Sequence, residues 1–310
     1  EFLPGQYLNV SFTVDGKTVR RSYTIASSPK QSDACELTVK REDQGVCSRH
    51  LHDAVGAGNV IEVSGPAGRF TFTGEGSNAV VLVAGGVGIT PLMSKIRYLT
   101  DVGWPGEIQL VFAARTEQDV IFRRELDSLR ERFPNLRVTL VLSREESPSW
   151  AGERGRITPK LLGRVVPALA EREVHVCGPT EMMDAVVKML RGLGVPDTHI
   201  HLESFVRPAA AEPSAAAAPN GHAGPVSVTF ARSGRSTSVP PGRTVLDASE
   251  ELGVEIPSDC RVGVCGTCKT RLISGRVEMD VDAALDPADR AGNFILSCQA
   301  RCVDEVVVEA

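Results

Sequence analysis

Four cysteines near the end of the chain carry the sharpest chemical signal. Cys260, Cys265 and Cys268 are spaced x4 and x2, and Cys298 follows after twenty-nine further residues. Thiolates at this spacing suit a [2Fe–2S] cluster of the plant type. The loop must wrap an anionic core with backbone N–H groups pointing inward, and Gly263 and Gly266 permit the tight turns this needs. Arg261 and Lys269 moderate the negative charge nearby. A structural zinc more often shows paired C-x2-C units, and one such pair is present here. A disulfide pair would need an oxidising compartment. Cys302 reads as a buried thiol, not a ligand.

Two glycine-containing turns suggest a second chemistry. The apolar run NAVVLVAGG leads into GGVGITP, where Gly85, Gly86 and Gly88 let the backbone approach a pyrophosphate. Thr90 suits an N-cap and Pro91 the first helical position, so the helix N-terminus offers free N–H groups to phosphate. The pattern is not G-x-G-x-x-G, because Pro91 stands near the third glycine position. VHVCGP, Val174–Pro179, repeats strand, turn and helix, with Cys177 at the carboxyl end of its strand, where open α/β sheets bind ligands. Taken alone, Cys177 reads equally well as a small buried hydrophobe. No acid ends the strand at Ala113-Ala114-Arg115-Thr116; Ser143 and Arg144 end the next one. Earlier, Arg21-Ser22-Tyr23-Thr24 closes a β run. In isolation it reads as surface decoration.

The elements that must position these residues fall into three textures. Residues 1–76 show short β-rich runs at Tyr7–Val14, Thr18–Ile25, Cys35–Lys40, Asn59–Val63 and Phe70–Thr73, with one helix at Ser48–Val55. They predict an antiparallel β-barrel or sandwich. Residues 77–207 alternate apolar strands with amphipathic helices: strands at Ala79–Ala84, Ile108–Ala113, Val138–Ser143, Glu173–Cys177 and His199–Glu203, helices at Pro91–Leu99, Asp119–Arg132, Pro159–Val165 and Glu181–Leu193. That is the pattern of a doubly wound α/β domain. Residues 208–225, with eight Ala and four Pro, read as a linker. Residues 226–310 begin with a hairpin and a helix near Thr244 and form a small α+β domain around the cysteine loop.

Composition adds exclusions. The 310 residues carry 34 Lys+Arg against 39 Asp+Glu, so nothing drives the chain toward nucleic acid. No apolar run reaches 18 residues, so no membrane span is expected. The cytoplasm is the expected compartment. A start at Glu-Phe-Leu-Pro without Met reads as a fragment or processed chain.

On these motifs the chain resembles the ferredoxin–NADP reductase superfamily. The tail, through SDCRVGVCGTCKTRLISG and LSCQA, resembles a plant-type ferredoxin domain, which implies a one-electron carrier. GGVGITP with VHVCGP resembles the superfamily's NAD(P)-binding domain. The likeness implies cofactor contacts from Gly86, Gly88, Thr90, Pro91, Cys177, Gly178 and Pro179, with Cys177 near the reactive carbon of the nicotinamide. It implies that Ser143 and Arg144, with Arg115 nearby, hold a 2′-phosphate, so NADPH is placed ahead of NADH. RSYT fits the flavin motif Arg-x-Tyr-Ser/Thr. Arg21 would meet a flavin phosphate, with Ser22 beside it. Tyr23 would pack on the ring, and Thr24 would reach its N5 edge.

VKRED and GVCSRHLHD resemble the second flavin segment and add Val39, Lys40, Gly45, Val46, Cys47 and Ser48. PAGRF places Phe70 toward an adenine, favouring FAD over FMN. HLESF brings Glu203 and Phe205 to the flavin. The order of domains is that of oxygenase reductase components of the kind typified by phthalate dioxygenase reductase and the phenylacetyl-CoA epoxidase reductase. It implies hydride transfer from NAD(P)H to flavin, then single electrons through the cluster to a terminal oxygenase or other redox protein. The catalytic candidates are Tyr23, Thr24, Cys177, Glu203 and Phe205. The family barrel normally starts some tens of residues before PGQY, so a reductase module of a larger fusion is an alternative. A ferredoxin-type carrier without reductase activity is another.

Overall fold

The computed structural model describes residues 1–14, 17–31, 33–205, 225–240, 242–258, 263, 266–282 and 284–310. Glu1–Val206 form one compact unit and Arg207–Ala310 another. The expected linker, 208–225, falls almost wholly outside the described residues.

The first unit opens with antiparallel strands β1 (Tyr7–Val14) and β2 (Lys17–Thr24), paired from Tyr7↔Thr24 to Val14↔Lys17. Helix α1 spans Val46–Asp53, and β3 (Glu62–Ala67) joins the free edge of β1. The antiparallel portion is thus a three-stranded sheet ordered β2-β1-β3. Alternation in β1 turns Val10 and Phe12 inward, where they pack with Cys47 of α1.

The expected strand at Cys35–Lys40 is only a single bridge, Ile25↔Leu37. Its neighbours Cys35 and Glu36 are exposed, so no sheet face is buried there. The third strand starts later than Asn59, because Asn59 closes a turn: its Oδ1 accepts from the Gly56 amide at 2.7 Å. Phe70–Thr73 is no strand, and Phe70 turns into the core instead.

The rest of this unit is β4 (Ala79–Gly85), α2 (Ile89–Asp101), β5 (Glu107–Ala114), α3 (Arg123–Arg132), β6 (Leu136–Leu142), β7 (Glu153–Arg154), α4 (Pro159–Val165), β8 (Glu173–Cys177), α5 (Thr180–Gly192) and β9 (Ile200–Glu203). The strands make one six-stranded sheet, β7-β6-β5-β4-β8-β9, and every pairing is parallel. All seven residues of β4 are buried, as expected of a strand covered on both faces. Leu82 and Phe112 pack with Ile96 and Leu126 on one side. Val81 and Val83 pack with Leu162 and Val186 on the other. Helix α3 starts at Arg123 instead of Asp119, because Phe122 takes a left-handed φ of 61°.

The second unit contains β10 (Val226–Phe230), β11 (Arg235–Val239), α6 (Val245–Leu252), β12 (Lys269–Ser274), β13 (Val277–Glu278), α7 (Pro287–Ala291), β14 (Phe294–Leu296), β15 (Arg301–Cys302) and β16 (Val306–Val308). Its main sheet is ordered β11-β10-β16-β12-β14. Thr244 and Asp247 form a capping box at the start of α6, and Gly253 closes that helix in the left-handed region. Among the described residues no helix is long and apolar enough to cross a membrane.

Helix α2 ties the flavin-type segment to the parallel sheet. Ser94 Oγ donates to the Ser27 carbonyl at 2.8 Å. Arg97 donates to the Ala26 carbonyl at 2.8 Å and to Glu36 at 3.1 Å, and clamps Glu125 at 2.7 Å with both Nε and a terminal nitrogen. The Arg97 side chain is only 12% exposed, so this is more than a surface ion pair. Arg97→Met is expected to destabilise the first unit by about 2 kcal/mol. The check is a lower urea midpoint at unchanged slope.

Candidate functional site

The two glycine turns lie side by side. In the β4–β8 pairing Ala84 stands opposite Cys177, so both chains turn at the same level of the sheet. A Cβ on Gly88 would overlap the Cys177 carbonyl. A Cβ on Gly85 would come within 2.9 Å of the Pro179 ring, and one on Gly178 within 3.0 Å of the Gly85 Cα. Gly86, with φ of 52°, faces open space. The turn therefore packs tightly toward Cys177–Pro179 and leaves room on its other side.

A short 3-10 turn, Gly86–Gly88, runs into α2 at Ile89. Helix α2 thus begins before Thr90. Thr90 is not the cap; its hydroxyl donates back to the Val87 carbonyl at 3.0 Å. Pro91 accordingly sits third in the helix, where a missing N–H is still harmless. Cys177 is fully buried, and burial pushes its thiol well above the usual range, so it is a neutral group. Glu203 is its register partner on β9 and is partly buried. Phe205 is 45% exposed.

Arg115 and Arg144 are joined through backbone at the carboxyl ends of β5 and β6. The Arg144 amide donates to the Arg115 carbonyl at 2.8 Å, and Ser143 donates to Ala114. All three residues are exposed, and neither arginine has an ion-pair partner among the described residues. Two free guanidiniums at the ligand-binding end of a parallel sheet suit a phosphate.

In the flavin-type segment, Arg21, Tyr23 and Cys47 come within electrostatic reach of one another. Burial, and then Cys47, push the Tyr23 phenol up to about 12, while Arg21 pulls it down. Ser22 donates to Asn9 Oδ1 at 2.8 Å, and Thr24 is buried. Helix α1 starts at Val46, earlier than the Ser48 expected. The Ser48 hydroxyl ties its first turn to the preceding chain, accepting from the Glu42 amide and donating to the Gly45 carbonyl, both at 3.1 Å. Val46 is 50% exposed at this helix start. The Val39 carbonyl accepts from His52 at 2.8 Å, and Lys40 pairs with Glu42.

Phe70 departs from expectation. It is 5% exposed, with the Lys95 amine over its face at 3.3 Å from the ring centre. One face of the ring is thus covered by protein.

In the second unit, Cys268 precedes β12 and Cys298 follows β14, which are antiparallel neighbours. The Ser297 amide donates to the Cys268 carbonyl at 3.1 Å, so the two buried cysteines share one end of that strand pair. Gly263 and Gly266 have φ of 78° and 74°, and a Cβ on Gly263 would come within 2.6 Å of the Val281 carbonyl. Both positions therefore need glycine, as a loop folded around a cluster requires. Cys260 and Cys265 lie outside the described residues. Cys302 is buried, and burial pushes its thiol up to about 11.

Comparison with known proteins bears directly on these arrangements. Residues 1–72 match an oxidoreductase FAD-binding domain, 82–188 an oxidoreductase NAD-binding domain, and 228–303 a 2Fe-2S iron-sulfur cluster binding domain. The glycine betaine monooxygenase reductase subunit of Chromohalobacter salexigens is 37% identical over 320 residues, covering 99% of this chain and 87% of its own. The ferredoxin reductase component of the 3-ketosteroid-9-alpha-monooxygenase of Rhodococcus rhodochrous is 34% identical over 313 residues, covering 98% and 86%.

The chain belongs to the ferredoxin–NADP reductase superfamily, among the oxygenase reductase components.

The solved structure of phthalate dioxygenase reductase, 28% identical, superposes with a TM-score of 0.60 over 100% of this chain and 88% of that one. A type IV self-sufficient cytochrome P450 shares the fold at 22% identity and a TM-score of 0.72, this chain spanning 37% of its length. The protein is thus a reductase that uses NAD(P)H, FAD and a [2Fe–2S] cluster for electron transfer.

Sequence reasoning about this reductase overlooked Ser94, Lys95, Arg97 and His175. A signal for Lys95 was present. It falls on the stripe of Leu92, Ile96 and Leu99, where an apolar residue belongs.

Gly88→Ala is expected to weaken nicotinamide dinucleotide binding by about a hundredfold, since the methyl forces the two turns apart. Titration of binding checks it, with flavin content and helicity unchanged.

Proposed function

We propose that this reductase takes hydride from NADPH in preference to NADH and hands single electrons to an oxygenase component. The observation that carries the reading is the Ala84↔Cys177 pairing, which sets a phosphate-type turn beside a strand end with a buried neutral thiol. Gly86, Gly88 and the start of α2, with Thr90 and Pro91, take the pyrophosphate on backbone N–H groups. Cys177, Gly178 and Pro179 wall the nicotinamide end. The uncharged thiol adds bulk without solvating the ring. Arg115, Ser143 and Arg144 hold the 2′-phosphate, Arg offering a fork that matches it.

Arg21, Ser22, Tyr23 and Thr24 hold the flavin, with Val39, Lys40 and Gly45 to Ser48 at its phosphates. Glu203 and Phe205 close the site. Cys260, Cys265, Cys268 and Cys298 hold the cluster. FAD, when bound, accepts two electrons together and releases them singly, and the protein's part is to position donor and acceptor.

Relatives are named as reductase subunits of glycine betaine monooxygenase and of a stachydrine N-demethylase. The acceptor of this chain is a partner in the same role, and the organic substrate belongs to that partner. Between Val226 and Ala310 there are 13 Asp+Glu against 9 Lys+Arg, which favours a partner with a basic docking patch. NAD(P)H as donor favours the cytoplasm.

Anaerobic addition of NADPH should bleach the flavin band of the loaded protein, and an unchanged band would sink the reading. Arg144→Ala should raise KM for NADPH by about tenfold and leave NADH nearly unaffected. Cys298→Ser should keep the bleaching but abolish electron transfer to the oxygenase, measured as NADPH-driven turnover of the pair.

A further inference from the structure

Lys95 is fully buried, although its neighbours on the inner stripe of α2 are apolar. Its Nζ lies 2.8 Å from Nδ1 of His175 on β8 and 3.3 Å from the centre of the Phe70 ring. Its Cε would be 2.9 Å from a Cβ on Gly5, so the stem runs against the opening turn of the flavin half. One side chain therefore touches three segments: the Gly5 turn, the Phe70 turn and strand β8.

His175 is boxed in equally tightly. Phe70 and Phe72 lie 5.2 and 5.3 Å from its ring, and His201 of β9 stacks on it at 4.5 Å. Its Nε2 has no hydrogen-bond partner among the described residues. With Nε2 unpartnered, the least costly arrangement has Nδ1 making the single bond to the amine and the pair sharing at most one charge. Two residues beyond His175, on the same face of β8, is Cys177.

A buried amine without a bonded carboxylate opposes folding, and a Met would fill the same space. An apolar side chain would not direct a bond to His175 while presenting N–H to an aromatic face. Resting on the reductase reading above, we propose that Lys95 is a positioning residue, which pins the Phe70 turn of the flavin half against the His175–Cys177 end of β8 and so keeps the flavin and nicotinamide half-sites in register.

The titratable groups around the amine are His175 and Cys177 from β8 and Glu203 from β9; His201 stacks on His175 and bonds Glu173 instead. The flavin half presents Gly5 and Phe70, which carry no charge. Burial lowers Lys95 well below the usual lysine range, with the Glu203 carboxylate acting the other way. The unfolded chain takes up a proton at Lys95 below about pH 10.4, and the folded chain does not until a much lower pH. Lys95 therefore destabilises the fold near neutral pH, and that burden is relieved as pH rises toward the unfolded value.

The test compares wild type, Lys95→Met and Phe70→Leu as flavin-loaded full chains. Near neutral pH, Lys95→Met should raise Tm, and the gap to wild type should close as pH rises toward about 10.4. In the same variant, flavin reduction at saturating NADPH should slow by about tenfold with the dinucleotide Kd unchanged. Amide exchange over residues 69–72 should quicken. Phe70→Leu, which keeps the amine but removes the ring beneath it, should slow the same step without the gain in Tm.

A Lys95→Met protein that is more stable yet as fast as wild type would overturn the proposal. So would one that loses Tm, or fails to fold, because the amine would then be an ordinary structural bond. Wild type that takes no electrons from NADPH would remove the reductase reading, and this proposal with it.

Discussion

The first unit is organised around a close approach that leaves no room for a side chain. At the carboxyl ends of β4 and β8 the backbone after one strand lies against the carbonyl ending the other, and Gly88 is the point of contact. Neighbouring strands of a parallel sheet are held about 4.8 Å apart by their hydrogen bonds. Two turns leaving such strands at the same level collide unless the residues between them are glycine. Gly85, Gly88 and Gly178 satisfy that need, and Gly86 alone faces outward. The same constraint that lets the sheet close its topological switch point produces a strip of bare backbone on the open side. A dinucleotide can lie on that strip because the fold itself excludes side chains from it.

Helix α2 extends this constraint to the flavin half. Its first turn is set by the glycine strip, and its following turns carry Ser94, Lys95 and Arg97 to the Gly5, Ser27, Phe70 and Glu36 segments. A helix is stiff over its 13 residues, so a shift at one end moves the other. The distance between the phosphate-type turn and the flavin half is therefore a property of one element, not a sum over flexible loops. Hydride transfer needs its reacting atoms held about 3–3.5 Å apart, and a single rigid strut is the economical way to keep that distance.

Much of this was legible in the residues. The alternation of β4, β5, β6 and β8 with amphipathic helices, and the turns after β4 and β8, follow from patterns with a local cause: continuous apolar runs and glycine. The cysteine spacing needed no tertiary information. What escaped depends on partners far apart in sequence. Phe70 reads as a loop aromatic, and only its neighbours Lys95 and His175, at positions 25 and 105 residues away, make it a core residue. Cys35–Lys40 has the composition of a strand but no adjacent strand to pair with beyond one bridge. The start of α2 moved by two residues because Gly86–Gly88 could tighten into a 3-10 turn, which propensity at Thr90 and Pro91 does not reveal.

Charge shows where structure ends and binding begins. Several arginines of the nucleotide half are engaged: Arg97 with Glu36 and Glu125, Arg123 with Asp127, Arg164 with Glu153, Arg172 with Glu107, and Arg191 with Asp197. Apart from Arg97 and Arg172, these are substantially exposed and contribute little stability. Being unpaired is not enough to mark a ligand site, since Arg124, Arg137 and Arg156 also have no ion pair among the described residues. Position decides. Arg115 and Arg144 leave the carboxyl ends of adjacent strands, and a backbone hydrogen bond fixes their spacing. Two exposed guanidiniums at adjacent strand ends suit a doubly charged anion that both side chains can reach. A dianionic phosphate is such an anion. Position thus separates these two arginines from the other unpaired ones and makes the ends of β5 and β6 the place where the proposed phosphate contact would be made.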